Sequence, residues 1–577
     1  MKQIKKYITL YAIAVALLMT GIFSACESFL DEVVPQGTLL SETYMNDEAT
    51  AEKAVAGLYG LLYLTSGSGP DGNWVNNHYE CYFGSMTSDD AEKGSQPEDY
   101  PDLQRVVTFQ FSSTFEFVNS FYIHGFWGVA RANYVLGHLV ESPIAESVKR
   151  RMEGEGHFFR AYWYFYLLRH YGGVPIMENE ITPEDFGNIP RASYHETIEF
   201  IIKELKLAAE MLPDNDRSGR ASNSGAKGLM ARVMLYQLGT DPEVSSSQTS
   251  WQALYDLTGG IINSGEYSLV PNYATLFEER ADGNYRQESL FDYCGKDGWL
   301  NSGQVLMEWM FQGVRNGSWY GWGFNQPTQD LRDAFDPTDP RLSCTIYGPN
   351  YNDGIVYGGT TNYGGKEPYD RGGMMMTYYY NRKAAVNGIN ALFNGTTKAM
   401  FVIRYADILL MHAEAAYYIG NEGKAREMVN MVRARARNSS YCKGYLPFST
   451  DYTYPETMPN IPDITSTGEQ LLQDIWNERR LELAMENFRT YDLVRTGRLV
   501  ERVGVVKDDR RTGGKGPLNT NDGAELEMRI PNIRENIKTN SIHVTVPGPG
   551  GGERYIPVFA IPPTEVTYWN IDPNPNN

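Results

Sequence analysis

Trp299, Trp309, Trp319 and Trp322 are four of the ten tryptophans in the 577-residue chain, and they crowd into one stretch together with Tyr320. The segment RNGSWYGWGFNQP, which holds Trp319, Tyr320 and Trp322, is too rich in glycine for a helix and lacks the alternation of a strand. A second patch, GNWVNNHYECYFG, sets Trp74, Tyr79, Tyr82 and Phe83 among asparagines and glycines. Rings placed without a packing period are suited to a flat exposed platform, and each stacked partner adds about 0.5–1.5 kcal/mol beyond area burial. A sugar ring fits such a platform: its axial C–H groups lie on the aromatic face and its hydroxyls reach polar side chains at the rim. Asn73, Asn76, Asn77 and Asn325 stand close by in sequence as hydroxyl partners. Arg371, in YDRGG, offers a fork of donors that matches vicinal hydroxyls. Trp309, in VLMEWMF, reads as core instead.

Other chemistry is weaker. Asp89 and Asp90 are adjacent, so their side chains tend to diverge; they read as turn or loop-capping acids, with sugar or cation contact as the alternative. Glu478 and Glu486 resemble a glycosidase pair in type, but a pair of that kind must flank a cleft. They lie in a segment filled with compensating arginines, where Arg479 and Glu482, like Glu486 and Arg489, share a helix face. There is no GxSxG elbow and no HExxH; HETIE at 195–199 puts Glu where the second His must be. The eight histidines are scattered. Cys81, Cys294, Cys344 and Cys442 are widely spaced with no CxxC, so neither a zinc site nor a disulfide framework follows from them. No enzyme, metal or cofactor is expected.

The elements that position these residues alternate with long irregular stretches. Helical patterns occupy 46–64, 119–140, 145–171, 192–211, 224–239, 403–437 and 467–495. Gly-, Asn-, Tyr- and Pro-rich stretches fill 65–118, 240–400 and 438–466, with a similar tail from about 500. Within 403–437 the apolar face of Ile408, Leu409, Met411 and Ala415 is broken at Gly420 to Gly423. It restarts at Ala425, Met428, Val429 and Val432. That is a helix–turn–helix pair of about 34 residues, the size of a tetratricopeptide unit. Tyr162, Trp163, Phe165, Tyr166 and Tyr171 cover more than one face of a helix that must be buried, and GGVP stops it.

Lys2, Lys5 and Lys6 precede the uncharged run ITLYAIAVALLMTGIF and then Ser24, Ala25 and Cys26, the three-part layout of a secretory signal. The run is shorter than the roughly 20 residues of a spanning helix. With a net charge of −20, and more acidic still without the three signal lysines, the chain is a poor partner for nucleic acid or anionic lipid. A 42% hydrophobic and 13% aromatic composition excludes disorder, and the length exceeds one compact core.

FSAC resembles a bacterial lipoprotein signal, although Phe23 stands where such signals usually carry Leu. Residues 1–25 are then a removed signal peptide and Cys26 the acylated N-terminus; multiple acyl chains give stable attachment. Five blocks in order resemble the SusD/RagB family of Bacteroidetes surface glycan-binding lipoproteins. They are CESFLDEVVP, RAYWYFYLLRHYGGVPIM, NQPTQDLRDAFDPTDPRL, IRYADILLMHAEA and ERRLELAMENFRTYDLVRTGR. SDDAEKG and the closing YIPVFAIPPTEVTYWNIDPNPNN add to the resemblance. It implies a mainly α fold over residues 26–577, with four tetratricopeptide-like helix pairs as scaffold and a loop-rich variable half. The N-terminal part runs to about 240, and the C-terminal part, from about 241, carries the variable loops and late helix pairs. It also implies a lipid-anchored protein on the outer face of the outer membrane. Such a protein captures an oligosaccharide or polysaccharide and passes it to a SusC-type TonB-dependent transporter. In the family, binding aromatics come from an early loop and from the loop before the PTQDL block, the two places where the patches above fall. The alternatives are a surface glycoside hydrolase and a lipoprotein that binds peptides or proteins.

Overall fold

The computed structural model describes residues 45–63, 66–68, 74–76, 82–95, 99–214, 218–278, 284–294, 311–313, 322–347, 356–357, 360–361, 377, 379–384, 397–442, 452–509 and 532–574. Its helices are α1 (Glu48–Gly60), α2 (Pro101–Val107), α3 (Glu116–Leu139), α4 (Glu146–Tyr171), α5 (Tyr194–Met211), α6 (Asn223–Thr240), α7 (Trp251–Asn263), α8 (Gln329–Ala334) and α9 (Pro340–Thr345). Then follow α10 (Tyr405–Tyr418), α11 (Glu422–Arg437), α12 (Gly468–Glu482), α13 (Arg489–Arg495), α14 (Leu499–Val503), α15 (Ile533–Thr539) and α16 (Pro563–Trp569). The chain is mainly helical, as expected.

The long helices pack in series. Helix α1 lies on α3, and α3, α4, α5, α6 and α7 each pack on the next; α7 rests on α10, which contacts both α11 and α12. Helix α4 is buried over most of its length, as its aromatic coverage predicts. Its approach to α3 depends on missing side chains: a Cβ on Gly128 would sit 2.2 Å from the Trp163 ring, and one on Gly125 would sit 2.6 Å from Leu167. Gly172 ends α4 with φ +73°, its N–H donated to the Leu168 carbonyl. The α10–α11 pair is the helix–turn–helix unit read from the sequence. Gly420 turns at φ +83° and Asn421 caps α11 by accepting from Lys424 N.

Several elements differ from expectation: the short helices α2, α8 and α9 fall inside 65–118 and 240–400, which read as irregular, and two longer elements depart further. Helix α7 falls inside the stretch 240–400, read as irregular because Gly259 and Gly260 weaken its helical pattern. Tertiary packing overrides that weakness: Trp251 stacks on Tyr418 at 4.0 Å, and Gly259 lets His412 approach. The helix read over 467–495 is two helices, α12 and α13. Between them Met485 (φ +62°) and Asn487 (φ +67°) turn the chain through the left-handed region.

Small antiparallel ladders make up the rest. Strand β1 (Ser66–Ser68) pairs with β2 (Trp74–Asn76), β3 (Ala91–Gly94) with β5 (Phe324–Pro327), and β4 (Ser289–Cys294) with β10 (Ala399–Arg404). Strand β6 (Ile346–Tyr347) pairs with β9 (Tyr380–Asn381), β7 (Val356–Tyr357) with β8 (Thr360–Thr361), β11 (Tyr441–Cys442) with β12 (Tyr452–Thr453), and β13 (Ser541–Val546) with β14 (Gly552–Pro557).

Candidate functional site

The β3–β5 ladder joins two parts of the chain that are far apart in sequence. Ala91 faces Pro327, Glu92 faces Gln326 and Gly94 faces Phe324. Ser95 N donates to the Gly323 carbonyl at 2.7 Å, and Thr328 N donates to the Asp90 carbonyl at 2.8 Å. Gly94 sits at φ +73°, and a Cβ there would lie 2.3 Å from the Gly323 oxygen, so glycine is required for this close approach. The early aromatic patch therefore leads into one strand of the ladder, and the tryptophan-rich stretch ends two residues before the other.

Charge fixes the ladder to the helices. Arg489 holds Asp89 with two hydrogen bonds of 2.7 and 2.9 Å, and Arg502 adds one at 3.0 Å. Arg480 bonds Asp90 and Asp330, each at 2.7 Å, and Arg502 reaches Asp330 at 2.7 Å. Burial alone would raise the Asp89 carboxyl, but Arg480, Arg489 and Arg502 hold it well below its ordinary value. Burial, reinforced by the charge on Asp89, keeps Asp90 raised against Arg480. These two acids are thus interior counter-ions, which corrects their reading as turn caps and removes them from contact with a ligand.

A second buried network lies behind the first. Arg404 bonds Glu288, Glu482 and Glu486, and Arg341 bonds Asp339, Glu478 and Glu482. Arg435 joins Glu288 at 3.0 Å and Glu482. Lys383 pairs with Glu486 at 2.8 Å, yet burial, with Arg404 alongside, brings its ammonium down to about 8. Glu478 and Glu486 are occupied by these cations, with Arg433 adding a second partner to Glu478. The spacings 479/482 and 486/489 form no pairs of their own, because Arg479 turns to Asp407 and Asp492, and Arg489 to Asp89.

Aromatic rings run outward from the ladder. Trp322, half-buried, meets Phe311 edge-on at 6.2 Å; Phe311 stacks on Phe324 at 4.2 Å; and Phe324 meets the edge of Tyr100 at 5.9 Å. Tyr100 leaves 49% of its surface in solvent and is held in the left-handed region at φ +48°. Sequence reasoning missed it; the signal was an aromatic before a proline in EDYPDL, where the Pro starts α2 and the preceding residue is forced out of the helix.

Of the residues expected at the site, Trp322 lies beside the ladder, half-buried and packed against the main apolar core. Asn325 is fully buried, with φ +52°, and its amide donates to Gln312 at 2.7 Å. Asn381 donates to the same Gln312 oxygen at 2.9 Å. Asn325 is therefore an internal strut, which corrects its reading as a hydroxyl partner at the surface. Phe83 is likewise inward, against His170 and Phe559 at 5.3 Å each. Trp74 is placed in β2, and Tyr82 opens a single wide helical turn, Tyr82–Met86; their side chains lie outside the described residues. Cys26, Asn73, Tyr79, Trp299, Trp319, Tyr320 and Arg371 also lie outside them. Among the described residues no His, Cys, Asp and Glu side chains are grouped to hold a metal ion, and no helix is long and apolar enough to cross a membrane.

Comparison with known proteins adds to this geometry. A profile described as the SusD family matches residues 273–545, and one described as starch-binding associating with outer membrane matches residues 67–235. The chain belongs to the SusD/RagB family. SusD-like protein P38 of Formosa agariphila is 25% identical over 557 residues, covering 91% of this chain and 100% of that one. A SusD-like protein from Bacteroides fragilis superposes with a TM-score of 0.66 at 21% identity, covering 94% of this chain and 100% of that one. Surface glycan-binding protein A from Bacteroides thetaiotaomicron, in complex with laminarihexaose, gives 0.63 at 18% identity, covering 91% of this chain and 99% of that one. The two matched regions each contribute one strand to the β3–β5 ladder, which is one of the places where they join.

Proposed function

We propose that this SusD/RagB protein is a non-catalytic glycan-binding lipoprotein of the outer-membrane surface, which captures an oligosaccharide or polysaccharide and delivers it to a SusC-type TonB-dependent transporter. The observation that supports the binding role is the β3–β5 ladder, which pairs the strand following the early aromatic patch in sequence with Phe324, the ring that Phe311 links to Trp322. The relative bound to laminarihexaose supports a glycan as the ligand class. The serial packing of α3 to α7 and α10 to α12 is read as the tetratricopeptide-like scaffold that holds this face. Occupation of Glu478 and Glu486 by arginine and lysine supports binding without hydrolysis.

The test is retention of the protein lacking residues 1–25 on immobilised plant, fungal and host polysaccharides. Trp322→Ala and Trp74→Ala should each weaken retention by about 2–10-fold, the equivalent of one lost stacking contact. No reducing ends should be released. Slow hydrolysis abolished by a single carboxylate change would establish the hydrolase instead, and failure to retain any glycan while the transporter still binds would point to a protein-interaction role.

Anchoring through Cys26 is tested separately. Cys26→Ser should move the protein out of the membrane fraction, and continued membrane association of that variant would refute the lipid anchor.

A further inference from the structure

Cys344 and Cys442 are far apart in sequence, but their sulfurs are 3.1 Å apart. Cys344 is the fifth residue of α9 and is buried; Cys442 ends β11 and is half-buried. Backbone contacts bracket the pair: Cys442 N donates to Ser343 Oγ at 3.0 Å, and the Cys344 thiol points at the Ser440 carbonyl at 3.9 Å. The same two segments are tied elsewhere. Tyr441 donates its hydroxyl to the Thr338 carbonyl at 2.9 Å, and Asn460 bonds Asp336 at 2.9 Å. Cys294 borders the same apolar cluster, but its thiol interacts with Tyr285 and Arg286.

We propose that Cys344 and Cys442 are joined by a disulfide in the exported protein, a covalent staple between α9 and the 438–466 insertion. The sulfurs need to close by only about 1 Å to reach bonding distance, and disulfides persist in exported proteins but not in the reducing cytosol. This inference rests on the exported location proposed above, not on glycan binding.

The oxidant is the disulfide of an exported dithiol oxidoreductase. The Cys442 thiolate attacks one sulfur of that disulfide, forming a mixed disulfide and expelling the donor's other sulfur as a thiolate. The Cys344 thiolate then attacks the Cys442 sulfur and expels the remaining donor sulfur. The two protein thiols lose two electrons, the donor disulfide gains them, and the two thiol protons end on the donor dithiol. Cys442 is the more accessible of the two. Its contact with Cys344, with Arg382 and Lys398 assisting, holds its thiol below the ordinary value against the effect of burial, which favours it as the attacking group.

What the bond fixes follows from its ends. Helix α9 carries Arg341, a hub of the Glu478–Glu482 network, and β11 opens the insertion between α11 and α12. A bridge closing so long a loop restricts the unfolded chain strongly.

The experiment uses the full chain recovered from the outer-membrane fraction of acid-quenched cells. The protein is alkylated with N-ethylmaleimide before and after reduction, then digested and weighed. Cys344 and Cys442 should resist alkylation until reduced and appear in one linked peptide pair, lighter by two hydrogens than the separate peptides. Cys294 should be alkylated without reduction once the protein is denatured. Alkylation of both residues without reduction in the membrane-bound protein overturns the proposal, as does linkage of either one to Cys294. In a second arm, reduced protein lacking residues 1–25 is exposed to glutathione disulfide. Closure of the internal bond supports the proposal, and a persistent glutathione adduct on Cys442 overturns it. Loss of glycan retention leaves both readouts unchanged, so the two readings fail separately.

Discussion

Asp89 is buried and yet charged because three guanidinium groups surround it. Removing one member of such a group leaves the others uncompensated inside the protein. Asp89→Asn should therefore cost about 3–5 kcal/mol in chemical denaturation. The same change at partly exposed Asp333, 3.4 Å from Arg332, should cost less than about 1 kcal/mol. Nothing near Asp89 in the sequence indicates this role, since its partner Arg489 lies 400 residues away and Arg502 lies 413 away. That is why an adjacent acid pair reads as a turn. Two buried histidines contribute to the response to acid. Burial, with Arg131, lowers His124 to about 3, and burial, with Lys424, lowers His412 to about 4. An unfolded histidine takes up its proton near 6.5, so below that pH the unfolded chain binds protons that the fold excludes. Stability should fall from pH 6.5 toward 4, by roughly 2 kcal/mol per histidine at pH 5. His412→Phe, which keeps the ring on Tyr255, should remove one of the two contributions; an unchanged pH slope would show that His412 is protonated in the fold.

At the scale of elements, the β3–β5 ladder is the most sensitive joint. Gly94→Ala adds a Cβ 2.3 Å from the Gly323 oxygen at a backbone angle that alanine rarely adopts. It should cost more than about 1 kcal/mol and weaken glycan retention while leaving the helical circular dichroism unchanged. Gly548→Ala, also at positive φ but with nothing within 4 Å, should affect stability less and retention not at all. Long helices with strong periodicity were legible to within a few residues: α4 was expected over 145–171 and spans Glu146–Tyr171. Helix α7 was not legible, because the contacts that hold it come from α10 across a long loop. The break after α12 was hidden for a related reason. Met485 and Asn487 fit a helical pattern locally, and only the approach of Gly84, where a Cβ would lie 2.0 Å from the Asn487 oxygen, reveals the turn.

At the scale of the whole molecule, the order of the blocks was enough to read the family and the helical scaffold. Their joint purpose was not visible. SDDAEKG, NQPTQDL and the ERRLELAMENFRTYDLVRTGR block meet in one charged cluster of Asp89, Asp90, Asp330, Arg480 and Arg489. Around the ladder, Tyr100 was missed and Asn325 misread because only a tertiary contact separates an exposed ring from an internal strut. That cluster also imposes an order of assembly. The chain emerges from its N-terminus, and α3 to α6 find their neighbours within the segment already made. Asp89 and Asp90 cannot be neutralised until Arg480 and Arg489 have followed, and pairings across so many residues are slow to close. Until then the early acids have no reason to leave water, and the ladder has nothing to hold it. The surface built on that ladder should consequently close only after α12 and α13 have formed.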